Sequence, residues 1–583
     1  MCYPETNEQF IEFIFQNYRK EKIAIYDGAN SCTYAELKKN CQYGKAFLSK
    51  LNLPPKSKIA VIGYRSSKYI ATVLSIVSAG FTFIPVDIIN PQERIKTLLH
   101  DAEVNAIINF QQTINLSQFT CPIIDPEEMF FEHSNVLQFA TETATSDNDV
   151  LYIIYTSGST GNPKGVEITV GGLTNTLLWM KETFDIQAND RIAFKTSIGF
   201  TDSIWEIFLP LLCGASLVVF SQMDTVDPHK LYEKLSAYEI TITQFVPVAL
   251  EIFLSMADSL PGVSILPHLK WIFNGGEHPS IEIVKHLYQK TKNCIFANLY
   301  GMTECSIYAT SYIVNRSSIE KIEKIPSGYP ITNTNIQIFS SNNVPLPANT
   351  MGEIGISGKG LARRYVNDPD LTSKKFIFFA GKRIYLSGDI GYLDENGCLW
   401  YCGRKDYQVK IRGFRVELMD VEAQLMKISQ IDMVAVVAKE NKFADRDLWC
   451  YYSGNISEEE IKTQLHDKLP EYMIPKFYIK LSKFPLTINN KIDRKELAKI
   501  NSSPVPVFCK TSKGTNEKIF LRIWGSILEG NKDITIYDDF FDIGGDSIKA
   551  ARMQILLEKE GISVSLHDIV ECRTIDKLLN KVK

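Results

Sequence analysis

The apolar positions of this chain alternate between two periods. Residues 151–154, Leu151-Tyr152-Ile153-Ile154, form an unbroken apolar run of β-branched and aromatic side chains, the pattern of a buried strand. Earlier, 58–62 and 81–86 read as strands and 69–78 as a helix, while Thr33 stands as a cap before a helical pattern that opens at Tyr34. Strands and helices that alternate in this way predict an α/β architecture with largely parallel strands. In the second half, 272–277, 298–304 and 385–389 are short apolar runs that end in glycine and polar residues, with an acid, Asp389, closing the last. Ligands of α/β sheets bind beyond the carboxyl ends of the strands, where such segments gather.

Between 155 and 165 the pattern breaks into a glycine-rich loop, Tyr-Thr-Ser-Gly-Ser-Thr-Gly-Asn-Pro-Lys-Gly. Gly158, Gly161 and Gly165 permit tight turns and close approach of a ligand to backbone. Thr156, Ser157, Ser159 and Thr160 add hydroxyls and Lys164 a positive charge, which together suit a phosphate-bearing ligand. The loop is not a Walker motif, since Lys164 lies between Pro163 and Gly165 rather than between Gly and Ser/Thr.

Composition narrows the partners. A chain of 583 residues exceeds one core and predicts several domains. A net charge of −4 gives no reason to expect nucleic acid or an anionic membrane. Twelve cysteines without paired metal spacing point to reduced thiols, and so to a cytoplasmic setting. The N-terminal residues lack the apolar stretch of a secretion signal, and no run reaches membrane-spanning length. A monomer is expected.

The 155–165 loop, the 300–304 segment Tyr-Gly-Met-Thr-Glu, Ser387-Gly388-Asp389, the 403–406 segment Gly-Arg-Lys-Asp, the 408–413 segment Gln-Val-Lys-Ile-Arg-Gly and the 490–494 segment Asn-Lys-Ile-Asp-Arg resemble, in order and spacing, the motifs of adenylate-forming enzymes. The chain is most similar to adenylation domains of non-ribosomal peptide synthetases. A second resemblance covers the tail: the 539–547 segment, Asp-Phe-Phe-Asp-Ile-Gly-Gly-Asp-Ser, is similar to the attachment motif of peptidyl carrier proteins. The resemblances imply a large multi-sheet adenylate-forming domain (1–405), a small mobile α+β lid domain (406–500), a linker (501–514) and an all-α four-helix carrier domain (515–583). The linker is rich in Ser, Pro, Thr and Lys with no apolar period.

The same resemblance implies roles. Thr156, Ser157, Gly158, Ser159, Thr160, Gly161 and Lys164 would cradle the β- and γ-phosphates of ATP, and Glu304 would help to hold Mg²⁺. Tyr300 would stack on adenine and Asn298 bond its edge, with Thr303 nearby. Asp389 would accept from the ribose, with Arg404 beside it. Lys491 would bridge the substrate carboxylate and the α-phosphate, and Asp406 would be the hinge about which the lid swings after adenylation. Ser547 would carry 4'-phosphopantetheine, whose attachment needs a phosphopantetheinyl transferase. A downstream biosynthetic enzyme would accept the acyl group. Isolated, Asp389 would be a surface acid, Lys491 a solvated lysine and Ser547 a helix cap; the ordered set of motifs reverses that reading.

Substrate choice is where the chain departs from the family pattern. Adenylation domains for α-amino acids read Phe-Asp-x-Ser, the Asp pairing with the α-ammonium. Here Thr201 stands at that position and Asp202 follows it. On a helix one residue turns the side chain by about 100°. The shift favours a β-amino acid, β-alanine being the simplest. The other residues that match pocket positions are Trp205, Gln244, Phe273, Gly275, Leu299, Ile307 and Tyr308, and the bulk of Trp205, Phe273 and Tyr308 favours a small carboxylic acid. If Asp202 instead bonds backbone locally, the substrate is an α-amino, aryl, hydroxy or keto acid. An acyl-CoA ligase and a non-catalytic scaffold are the wider alternatives; the first leaves the Ser547 module unexplained, and the second would need a broken active site.

Overall fold

The structure is a computed structural model that describes residues 3–16, 18–130, 149–158, 163–259, 265–406, 408–441, 443, 445–486, 492–500, 515–528 and 534–582. Strands Ile123–Ile124, Ala106–Asn109, Lys58–Gly63, Thr82–Asp87, Val150–Thr156 and Lys164–Thr169 lie side by side in a six-stranded sheet. A nine-stranded sheet has at its centre six parallel strands, Ile295–Tyr300, Trp271–Asn274, Ile242–Phe245, Arg191–Phe194, Ser216–Val219 and Ile23–Asp27. Helix Tyr34–Ser49 starts where expected: Thr33 accepts from the Glu36 N–H, and the Glu36 carboxylate accepts from the Thr33 N–H at 2.7 Å.

Helix Asp202–Cys213 joins the two sheets. It buries every residue from Ser203 to Cys213, a sequence apolar on nearly every face, with Glu206 as its one buried charge, satisfied by the Lys195 and Thr196 N–H groups and the Thr196 hydroxyl. Its Phe208 ring lies 6.3 Å from Phe83 of the six-stranded sheet, and its Trp205 ring 5.5 Å from Phe273 of the nine-stranded one. Each such side chain contributes roughly 1.5–3 kcal/mol by burial. Gly214, at φ 64°, ends the helix in the left-handed conformation.

A third, five-stranded sheet contains Lys382–Leu393. That strand does not end at Asp389, as the apolar run suggested. It continues past a bulge: Glu353 pairs with Ile390 and Gly355 with Leu386, so extra residues on the long strand project between them. Gly388, at φ 79°, makes the bulge, and its N–H donates to Glu353 at 3.0 Å.

Beyond residue 406 an antiparallel hairpin, Gln408–Ile411 with Phe414–Glu417, precedes helix Leu418–Leu425 and a three-stranded sheet of Ile431–Glu440, Arg446–Gly454 and Phe477–Lys480. Four helices follow at the C-terminus: Thr515–Ile527, Ser547–Lys559, Leu566–Cys572 and Ile575–Lys581. The second of them packs on helix Pro247–Ala257, with Arg552 paired to Glu251 at 2.8 Å. No helix among the described residues is long and apolar enough to cross a membrane.

Candidate active site

The glycine-rich loop joins two antiparallel strands. Tyr155 pairs with Gly165 and Thr156 with Lys164 across the ladder, so the loop is a hairpin turn and not the strand-to-helix turn of a Walker motif. Ser159, Thr160 and Gly161 lie outside the described residues. At its near edge the Thr156 hydroxyl is buried and has no partner among the described residues. A buried hydroxyl without a partner costs free energy that a phosphate oxygen would recover, so the loop fits the ligand its composition implied. Lys164 is 10% exposed; burial pushes its ammonium down to about 8, and the Arg415 charge adds to the effect.

Glu304 is fully buried. Burial alone would raise its carboxyl, but Arg415 and Lys164 hold it well below the usual carboxylate range. It accepts from the Tyr365 hydroxyl at 2.8 Å and from Arg415 Nη1 at 3.1 and 2.8 Å. An ionised, buried carboxylate is the donor that a hard divalent cation needs. Among the described residues no cluster of three or more His, Cys, Asp or Glu is placed for a metal, so Mg²⁺ here would complete its shell with phosphate oxygens and water.

A cavity is lined by Asn298, Tyr300, Asp389, Arg404 and Lys410, four of which the resemblance assigned to the nucleotide. The bulge aims Asp389 inward, where Tyr300 Oη donates to it at 2.7 Å and Arg404 Nη1 at 2.5 Å. Arg404 also holds Asp406 at 2.6 and 2.8 Å. The Asn298 amide donates to the Pro326 carbonyl at 2.8 Å and accepts from Asn274 at 3.0 Å, which leaves its second N–H open among the described residues.

Another cavity is lined by Thr201, Asp202, Leu299, Thr303, Ile307 and Tyr308. Thr201 caps the central helix with an αR backbone, and its hydroxyl shares a 2.8 Å hydrogen bond with the Thr303 hydroxyl. Asp202, one residue on, accepts from Tyr308 Oη at 2.6 Å. Gln244 lies beyond, its carbonyl accepting from Trp205 Nε1 at 3.0 Å, with the Tyr308 hydroxyl oxygen, whose one proton goes to Asp202, also 3.0 Å from it. Gln244 and Phe273 are register partners on neighbouring strands. A Cβ on Gly275 would stand 2.9 Å from Gln244 Nε2 and 3.5 Å from Asp202 Oδ1, so the glycine keeps this end open. Of the nine expected pocket residues, Thr201, Asp202, Leu299, Ile307 and Tyr308 line the cavity, while Trp205, Gln244, Phe273 and Gly275 are not among its lining.

Lys491 lies outside the described residues. Three residues outside the motifs stand in the site, Arg415 and Glu417 of the 408–417 hairpin and Tyr365, together with Lys410, which lies in the 408–413 motif but was given no role. The signal for two of them was present, because strand alternation puts Arg415 and Glu417 on one face, with Phe414 and Val416 on the other.

Comparison with known proteins decides the family. A model of the AMP-binding enzyme family matches residues 14–366, and one for the phosphopantetheine attachment site matches 518–582. The chain belongs to the AMP-binding enzyme family. As an adenylate-forming ligase fused to a carrier module, it is 33% identical over 97% of its length to bacitracin synthase 3 of Bacillus licheniformis, of which it spans 9%. It is 32% identical over 97% of its length to tyrocidine synthase 1 of Brevibacillus parabrevis, of which it spans 51%. Both relatives are thus longer proteins of which this chain covers a part. In fold it is similar to a holo NRPS protein containing adenylation and PCP domains, with a TM-score of 0.83, 22% identity and coverage of 99% and 97% of the two chains. It is likewise similar to the Vibrio cholerae adenylation domain AlmE, with a TM-score of 0.74, 24% identity and coverage of 86% and 98%.

The adenylation and carrier portions meet through charges. Ser547 is exposed at the start of its helix, and Asp546 before it caps that helix by accepting from the Lys549 N–H at 2.9 Å. The Asp546 carboxylate is itself buried between Lys476 and Arg412, the latter at 2.9 Å.

Proposed function

We propose that this chain activates a small amino acid, a β-amino acid such as β-alanine, as its aminoacyl-AMP, and passes the acyl group to the phosphopantetheine thiol on Ser547. The observation that carries the substrate reading is the pair Thr201 and Asp202. Thr201 has its hydroxyl bound to Thr303 and offers no charge to an α-ammonium. The Asp202 carboxylate, one residue along, faces the cavity with only the Tyr308 hydroxyl bonded to it among the described residues. An ammonium one carbon farther from the carboxylate meets that charge, and one at the α-carbon leaves it unpaired. Trp205, Phe273, Ile307 and Tyr308 close a short pocket with Gln244 and Leu299, and Gly275 leaves room for the ammonium.

The chemistry rests on positioning and charge neutralisation, since carboxylate and ATP are both anions. Thr156, Ser157, Gly158, Ser159, Thr160, Gly161 and Lys164 hold the β- and γ-phosphates. Glu304 is the residue that would hold Mg²⁺, which would supply neutralising charge. Tyr300 and Asn298 face the adenine, Thr303 borders the α-phosphate, Asp389 and Arg404 fix the ribose, and Lys491 draws the substrate carboxylate to phosphorus. The lid, 406–500, then turns about Asp406. A phosphopantetheinyl transferase supplies the arm on Ser547, and a downstream biosynthetic enzyme takes the acyl group.

ATP–pyrophosphate exchange across β-alanine, 3-aminobutyrate, the common α-amino acids and a set of aryl, hydroxy and keto acids tests this. Exchange is expected with a β-amino acid and should drop at least a hundredfold in Asp202→Ala, since loss of a buried charge partner costs about 3–5 kcal/mol. Exchange with an α-amino or non-amino acid, unchanged in Asp202→Ala, would overturn the substrate assignment.

A further inference from the structure

Tyr308 is aimed by a strained turn. Ser306 and Ile307, the two residues before it, have φ of 54° and 85°, left-handed values that a β-branched side chain such as that of Ile307 rarely adopts. The turn is pinned on two sides: the Ser306 hydroxyl donates to the Gly360 carbonyl at 2.6 Å, and the Ser306 carbonyl accepts from the Thr176 hydroxyl at 2.8 Å. Backbone strain of this kind clusters where the direction of a side chain matters.

The Tyr308 hydroxyl stands between two acceptors. Asp202 Oδ1 lies 2.6 Å from its oxygen and Gln244 Oε1 3.0 Å, while a phenol has one proton to give. Burial and the Asp202 charge keep that proton on the phenol. The carboxylate takes it, since a hydrogen bond to a charged acceptor is the stronger. Gln244 Oε1 then faces the phenol oxygen lone pair to lone pair. Turning the amide over gives no relief, because Oε1 also accepts from Trp205 Nε1 at 3.0 Å and that N–H would lose its partner. Among the described residues the cluster is one donor short. We propose that Tyr308 is a rotor that hands Asp202 to the substrate: as an ammonium pairs with the carboxylate, the phenol proton turns from Asp202 to Gln244 and the phenol oxygen accepts from the ammonium. This rests on the assignment of Asp202 as partner of the substrate's ammonium. No covalent bond changes; one C–O torsion turns. Asp202 keeps a donor in both arrangements, which avoids the cost of a carboxylate left without one. A methyl-ended acid brings no donor and leaves the proton on Asp202, so the pocket selects against it. Gln244 is a positioning residue, since it acts through Tyr308.

A double-mutant cycle on ATP–pyrophosphate exchange reads the coupling. It is run on whichever amino acid supports exchange best, so the β-amino assignment can fail while the rotor is still decided. Gln244→Met, of similar length without a strong acceptor, should raise KM for the amino acid about fivefold, the worth of one neutral hydrogen bond, and change kcat by less than about twofold. In the Tyr308→Phe background the same substitution should leave KM unchanged, because the proton that Gln244 accepts is gone. Trp205 Nε1 loses its acceptor in both backgrounds, so that effect cancels. Tyrosine labelled with ¹³C at the ζ carbon gives a second reading that needs no change at Gln244. The resonance missing from Tyr308→Phe should move upfield when the amino acid binds, as the phenol exchanges a carboxylate acceptor for an amide. A Gln244→Met effect of equal size in both backgrounds would overturn the proposal, as would a Tyr308 resonance that the amino acid leaves in place. Exchange supported only by acids without an amine would overturn both the rotor and the assignment it rests on.

Discussion

Lys164 is the residue where burial and chemistry pull against each other. Its ammonium, pushed down to about 8 by burial and by Arg415, titrates just above neutrality. Only the protonated form attracts phosphate, so affinity for magnesium pyrophosphate should fall as pH rises through about 8. Isothermal titration at pH 7, 8 and 9 should show this, and Lys164→Arg should flatten the profile, since arginine keeps its proton. The residue's contribution to folding runs the other way. Between about 8 and 10.5 the unfolded chain holds a proton that the folded one has released, so its share of stability rises with pH across that window. Glu304 has the opposite design: two cations keep it ionised against its burial, and over ordinary pH it does not titrate.

At the scale of elements, the hairpin turn is as constrained as the site it enters. Gly413 sits at φ 83°, and a Cβ there would meet Val246 Cγ1 at 2.6 Å, while its N–H donates to Glu277. Alanine would bring a left-handed penalty of about 1–2 kcal/mol together with that overlap. Gly413→Ala should therefore lower the ratio of carrier loading to ATP–pyrophosphate exchange about tenfold, measured as radiolabelled acyl group on Ser547 against exchange in the same preparation. Which elements were legible in the sequence follows from the range of the signal. The Thr33 cap and the strand before the glycine-rich loop are encoded within a few residues, and the expected residues of the pocket follow from a resemblance carried by motifs of similar reach. The bulge that turns Asp389 inward depends on pairing with Glu353 and Gly355, and the seat of the hairpin on contacts between Arg415 and Glu304, 111 residues apart. Periodicity carries no information at that distance, although it did place Arg415 and Glu417 on one face.

At the scale of the whole molecule, the C-terminal helices are held by a buried charge cluster that no single domain contains. Asp546 lies between Arg412 and Lys476, and Asp447 pairs with the same two at 3.2 and 3.0 Å and with Lys549 at 3.7 Å. Burial would raise the Asp546 carboxyl, yet Lys476, Arg412 and Lys549 hold it well below the usual range. Asp546→Asn leaves these cations short of one partner, so single-turnover loading of holo protein should slow at least tenfold while ATP–pyrophosphate exchange persists, the cost of an unpaired buried charge being about 3–5 kcal/mol. Arg412 stands at the turn of the same hairpin whose Arg415 covers Glu304. A segment of ten residues thus touches both the buried carboxylate Glu304 and the acid that precedes Ser547, so one hairpin joins two places that lie far apart in the sequence.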